Sequence, residues 1–190
     1  MSKNYSKVAA LSVAVLLLFS SSLPSYANPK AKSKLRMKST SFQDGHMIPD
    51  KYTCKGENIS PELSWKAPPA GTKFFILICE DPDASQRSWV HWVIYDIPAK
   101  MDSLNNVFEL LEGFPRQEKT TTGIYQGLND FNRIGYDGPC PPSGIHQYFF
   151  KLYALDAPVK LPAGAFKSQV LKAMENHILA QTQIMGLYGK

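Results

Sequence analysis

The chain has only three cysteines among 190 residues, and no two lie close together. That count and spacing exclude a zinc ribbon and a C-x-x-C redox pair. A run of about 20 apolar residues, the length needed to span a bilayer, is missing. The longest run, Val8 to Phe19, stops at Ser20-Ser21-Ser22. No G-x-S-x-G element occurs, so the nucleophile elbow of the α/β-hydrolases is absent. There are no repeats and no low-complexity segments, which sets aside solenoids and disordered arrays. Acidic side chains are missing from the first 38 residues, whereas 7 of the 21 lysines and arginines fall there.

The basic start divides into two parts. Lys3 and Lys7 precede the apolar run, and Ser25-Tyr26-Ala27 offers small residues for cleavage. Residues 1–27 therefore read as a removable secretory signal peptide, with the mature chain beginning near Asn28 and a periplasmic or secreted location. Residues 28–38 form a basic N-terminal arm carrying Lys30, Lys32, Lys34, Arg36 and Lys38. Beyond residue 38, 14 basic side chains face 16 acidic ones, so the pI of 9.0 belongs to the arm and not to a folded nucleic-acid face. Contact of the arm with anionic lipid is at most peripheral. Cys79 closes the apolar run from Phe74 and reads as a small buried hydrophobe. Cys54 and Cys140 lie in turn-rich segments and are the candidates for a disulfide in an oxidising compartment.

Residues 39–190 are enough for one domain with a sizeable core. Turn signals every 10 to 20 residues and 14 prolines indicate a mainly β domain. The expected strands are 35–42, 73–80, 89–96, 121–126, 147–155 and 183–188. One helix is expected from a Ser168 cap to about Gln181, with Val170, Leu171, Met174, Ile178 and Leu179 forming its apolar stripe. Between Asp102 and Gln126, Leu104, Val107, Leu110 and Leu111 permit a helix, but Gly113 and Pro115 interrupt it. That stretch reads as a loop-rich crossover.

Two separated segments carry the chemistry. One is Asp81-Pro82-Asp83-Ala84 with Trp89-Val90-His91-Trp92, and the other runs Gly138-Pro139-Cys140-Pro141-Pro142-Ser143-Gly144-Ile145-His146-Gln147-Tyr148. Strand alternation puts Trp89, His91 and Val93 on one face, with Val90, Trp92 and Ile94 on the other. His146, Tyr148 and Phe150 share a face in the same way. With His91 and His146 on neighbouring strands, Asp81 at a strand end and stiff prolines as a rim, the result is a shallow polar pocket. Two imidazoles, a carboxylate and a phenol suit capture of a small anion, because a carboxylate beside imidazole favours the imidazolium. Two histidines and one aspartate are a poor metal set. His46 and His177 read as structural.

The pieces Tyr52-Thr53-Cys54, Ile59-Ser60-Pro61-Glu62-Leu63-Ser64-Trp65, Asp81-Pro82-Asp83-Ala84, His91-Trp92-Val93, Gly127-Leu128-Asn129-Asp130, Gly135-Tyr136-Asp137-Gly138-Pro139-Cys140-Pro141-Pro142 and Gly144-Ile145-His146-Gln147-Tyr148 stand in an order that resembles the phosphatidylethanolamine-binding protein family. The likeness is to its bacterial Raf kinase inhibitor-like branch and runs from about Lys38 to Tyr188. It implies a β-sandwich of two antiparallel sheets with a helix in the C-terminal region and a few short helices. It also implies a pocket for phosphate, acetate or a phospholipid head group, formed by Asp81, His91, His146 and Tyr148 with Pro141 and Pro142 on its wall. The family commonly has proline where Ser85 stands and arginine where Gln147 stands. Alternation turns Gln147 away from His146, which leaves the pocket intact.

The reading that follows is an exported, non-catalytic anion-binding protein without a cofactor. It modulates a partner protein such as a protease, an envelope component or a host factor, and the resemblance adds a homodimer. The competing reading is a hydrolase using Cys140 or Ser143 with His146 and Asp81. Against it, the prolines flanking Cys140 cannot donate oxyanion-hole bonds. A carrier that buries acyl chains needs a deeper apolar cavity than a shallow, proline-rimmed pocket supplies.

Overall fold

A computed structural model describes residues 34–104 and 123–190. The leader, most of the basic arm and the middle of the crossover segment lie outside the described residues. Among the described residues seven strands form two antiparallel sheets. The smaller sheet pairs β1 (Arg36–Ser39) with β2 (Leu63–Lys66). The larger has the order β5-β4-β3-β6-β7, with β3 (Phe74–Asp81), β4 (Trp89–Pro98), β5 (Tyr125–Gln126), β6 (Ile145–Leu155) and β7 (Ile178–Gly189). One α-helix, α1 (Lys167–Ala173), and a short 3-10 turn (Asp50–Tyr52) complete the described elements.

β3 is the central strand, and its run of Phe75, Ile76, Leu77, Ile78 and Cys79 is buried on both faces. Phe75, Leu77 and Cys79 pack with Trp92, Ile94, Phe150 and Leu152, and the small sheet covers them with Met37, Leu63 and Trp65, joined by Leu35 just before β1. Ile76 and Ile78 face the other way, toward Val90, Val93, Tyr95 and the cover formed by Val159, Ala165, Val170 and Met174. Each fully buried aliphatic or aromatic side chain contributes about 1.5–3 kcal/mol of transfer free energy.

β4 departs from simple alternation. Cys79 pairs with Trp92 while Glu80 pairs with Val90, so His91 is the extra residue of a β-bulge. The bulge turns Trp92 and Ile94 to the small-sheet side and Val93 to the α1 side, the reverse of strict alternation. It also puts His91 and Trp92 on the same side of the sheet. His91 and His146 are not on neighbouring strands either, because β3, bearing Asp81, runs between β4 and β6.

The expected helix from Ser168 to Gln181 is cut to Lys167–Ala173. The residue before it is Phe166, whose N–H donates to Gln169 Oε1 at 2.8 Å, which closes the first turn without Ser168. Asn176, with φ of 66°, turns the chain, and β7 begins at Ile178, five residues before the expected strand. Ile178 and Leu179 are exposed, so the helical stripe ends at Met174. The expected 121–126 strand shrinks to the Tyr125–Gln126 pair, with residues 121 and 122 outside the described region. β2 was not expected: four residues between Pro61 and Pro68 are too few for a periodic signal.

Candidate functional site

Asp81, His91, His146 and Tyr148 converge on one cleft of about 340 Å³ at the end of the large sheet. Pro141 and Pro142 form part of its wall, with Cys140 and Ser143 beside them. Asp81 closes β3, and the Pro82 turn that follows lets its carboxylate lean over the strand end. Asp81 Oδ1 accepts the Asp83 N–H at 2.8 Å, which fixes the turn. Asp83 in turn accepts the Gln147 N–H at 2.8 Å, tying the turn to β6.

Asp81 Oδ2 lies 2.7 Å from His146 Nδ1, so the two form an ion pair whenever the ring is protonated. The His91 Nδ1 contact is to the Asp137 carbonyl at 2.6 Å. A carbonyl only accepts, so His91 Nδ1 carries the hydrogen. Burial lowers the His91 pKa, against the raising effect of the Asp137 carbonyl, and keeps this ring neutral near pH 7. Both rings are thus anchored through Nδ1. Nε2 of each has no hydrogen-bond partner among the described residues and remains for a ligand.

Tyr148 is fully buried and its hydroxyl makes no hydrogen bond of ordinary geometry among the described residues, although the Asp81 carboxylate and the Cys140 backbone lie close enough to act on it electrostatically. Burial, and then the nearby Asp81 charge, pushes its pKa well up, so the group is a neutral donor. An orphaned buried hydroxyl costs about 1–3 kcal/mol, and in a site it marks where a ligand atom belongs. The Tyr148 ring meets His91 edge-on, with centroids 5.2 Å apart.

The rim is held by covalent and backbone contacts. Cys54 and Cys140 form a disulfide, while Cys79 is free and buried. The Gly138 N–H donates to Asn58 Oδ1 at 2.7 Å. A Cβ at Gly138 would lie 2.3 Å from the Tyr52 carbonyl oxygen, so only glycine allows this approach of rim and turn. With Cys140 in a disulfide, the thiol nucleophile of the hydrolase reading does not exist. Ser143 is exposed, and among the described residues no hydrogen bond joins it to His146.

Sequence reasoning placed the four central residues but gave no role to Asp83, Trp89, Phe131 or Asp137. Trp89 and Phe131 line the cleft and meet edge-on. Asp137 sets the His91 tautomer through its carbonyl, and its carboxylate is fixed by Asn129 at 2.7 Å and Arg133 at 2.7 Å. Asn129 and Asp137 belong to segments that resemble the family, yet nothing in their spacing gave the contact. Ser85 lies on the exposed edge of the cleft. His177 pairs with Asp156 at 2.8 Å and His46 with the Asp44 carbonyl at 3.0 Å, both away from the cleft. Among the described residues no group of three or more His, Cys, Asp or Glu side chains could hold a metal ion.

A family model described as phosphatidylethanolamine-binding protein matches residues 38–189. The chain belongs to the phosphatidylethanolamine-binding protein family. A UPF0098 protein from Methanothermobacter thermautotrophicus is 47% identical over 154 residues, covering 81% of this chain and 98% of that protein. A UPF0098 protein from Aquifex aeolicus is 49% identical over 153 residues, covering 79% and 85% respectively. A crystal structure of the Chlamydia trachomatis homolog CT736 superposes with a TM-score of 0.71 at 35% identity, covering 84% of this chain and 99% of that one. YbcL of E. coli, described as a new member of the mammalian family, gives a TM-score of 0.70 at 28% identity, covering 82% and 98%. The fold and family expected from the sequence are therefore those of the molecule.

Proposed function

We propose that this family member is an exported, non-catalytic binding protein whose Asp81–His146 cleft takes the phosphate group of a small phosphorylated ligand or phospholipid head group. The buried Tyr148 hydroxyl without a partner carries the reading, because it stands beside two imidazoles whose Nε2 atoms are uncommitted. Neutral His91 offers an acceptor for a phosphate O–H, while Tyr148 and protonated His146 offer donors. Asp81 does not repel the anion in net terms, since its charge is matched by His146 and its other oxygen by the Asp83 N–H. A cleft of about 340 Å³ suits a head group and not a pair of acyl chains.

Calorimetry with inorganic phosphate and O-phosphoethanolamine tests the reading, with sulfate as a control whose own charge is constant near neutrality. Affinity for sulfate should fall at least about tenfold in His146→Ala, the loss of a hydrogen bond to a charged partner. Binding unchanged in His146→Ala rules the site out. Preferential binding of phosphoethanolamine over phosphate selects the head-group source.

The leader supports export, with a mature chain starting near Asn28, and the proposed partner is an envelope, protease or host protein engaged by a homodimer. N-terminal sequencing of the periplasmic fraction reads the first point. Sedimentation of the mature chain reads the second.

A further inference from the structure

A second cleft, of about 590 Å³, opens on the α1 side of the large sheet, across the sheet from Asp81. Its charges do not balance. Asp130 is fully engaged: its oxygens accept Arg87 Nη1 at 2.9 Å, Arg87 Nη2 at 2.8 Å and the Val90 N–H at 2.6 Å. Beneath the cleft, Glu80 receives two ammonium groups, Lys151 on Oε1 at 2.6 Å and Lys167 on Oε2, together with the Ser88 hydroxyl. Among the described residues one carboxylate is shared by two lysines, so the trio carries a net single positive charge, and of the two lysines it is Lys167 that lines the cleft.

The rest of the wall is apolar. Leu128 and Leu171 lie along it, and Phe166 stands at its edge 56% exposed. An aromatic ring left in water beside an ammonium that shares its only carboxylate among the described residues with a second lysine is an unusual surface. A metal cation is disfavoured because both carboxylates are already satisfied. A dianion would overcompensate the single spare charge.

We propose that this cleft is a second binding site, separate from the Asp81 cleft, that takes a small amphiphilic monoanion: a carboxylate on a compact apolar body. The carboxylate sits at Lys167 and the body lies against Leu128, Leu171 and Phe166. The two clefts share walls, since Ser88 and Asp130 line this one while their chain neighbours Trp89 and Phe131 line the other. Any test must therefore read both.

Amide NMR of the purified, 15N-labelled protein does so, with phenylacetate as probe, 2-phenylethanol as its neutral counterpart and inorganic phosphate as a compact anion. Phenylacetate is expected to shift Ser88, Asn132, Lys167 and Leu171 saturably, with a dissociation constant on the order of 1 mM for so small a ligand. The alcohol should bind at least about tenfold more weakly, as should phenylacetate to Lys167→Gln, which keeps Lys151 on Glu80. Phe166→Ala, at an exposed position that the fold does not need, should weaken it about three- to tenfold. Equal response to the alcohol overturns the proposal. So do shifts confined to Asp81, His146 and Tyr148, phosphate shifts at Lys167 as large as those of phenylacetate, or full affinity in both variants.

Discussion

Tyr148 sets binding against stability. Its hydroxyl is buried without a hydrogen bond of ordinary geometry among the described residues, an arrangement that costs up to about 1–3 kcal/mol. Tyr148→Phe removes that burden and keeps the ring that packs on His91. The variant is expected to hold its stability or gain about 1 kcal/mol, while phosphate affinity falls about five- to tenfold, the worth of one hydrogen bond. Thermal melts and calorimetry on the same preparation check both halves. A lower melting temperature with unchanged phosphate affinity would show that the hydroxyl is structural. The grouping of the four central residues was legible through strand alternation and the family resemblance, with Asp81 closing β3 while His91 and Tyr148 lie inside β4 and β6. The His91 tautomer was not, because it depends on a main-chain carbonyl 46 positions away in the chain.

At the scale of elements, two misreadings have physical causes. Period-2 alternation has no term for a bulge, so it misassigned Trp92, Val93 and Ile94 while still placing His91 correctly, the bulge beginning at that residue. The helical spacing of Ile178 and Leu179 with Val170 and Met174 was coincidental: Asn176 in the left-handed region breaks the helix, and the two residues belong to an exposed end of β7. The Cys54–Cys140 pairing was legible because only two of three cysteines lay in turns. It closes a loop of 86 residues between the 54–56 turn and the cleft rim. Cys54→Ser with Cys140→Ser should cost about 2–5 kcal/mol and weaken phosphate binding by loosening Pro141 and Pro142. Thiol counting in denaturant should find one thiol before reduction and three after. Three before reduction, or a double variant as stable as the parent, would contradict the cross-link.

Across the whole molecule, buried titratable groups make stability fall on acidification in two stages. His91 is held neutral by burial, below its ordinary pKa. The unfolded ring takes up a proton first, so the native state loses ground as pH drops below about 6.5. Glu80 follows. Burial alone would raise its pKa, but hydrogen bonds from Lys151 and Lys167 overcome that and bring it to about 2. Its contribution is complete above the unfolded value of about 4.3 and is lost as pH falls toward 2. Asp96 acts in the opposite sense, since burial raises its pKa despite the N–H bonds from Val159 and Lys160, and it favours the acid form of the fold. The Glu80 part should be about 1–3 kcal/mol, limited because its two lysines are 33% and 24% exposed and partly screened. Urea unfolding at pH 7, 5.5, 4 and 3 measures the profile. Glu80→Gln should flatten the segment below pH 4.3 and leave the segment near pH 6 unchanged. If the variant keeps the steep loss between pH 4 and 3, other carboxylates govern it, and the lysine pair on Glu80 does not join α1 to the sheet with the strength assigned.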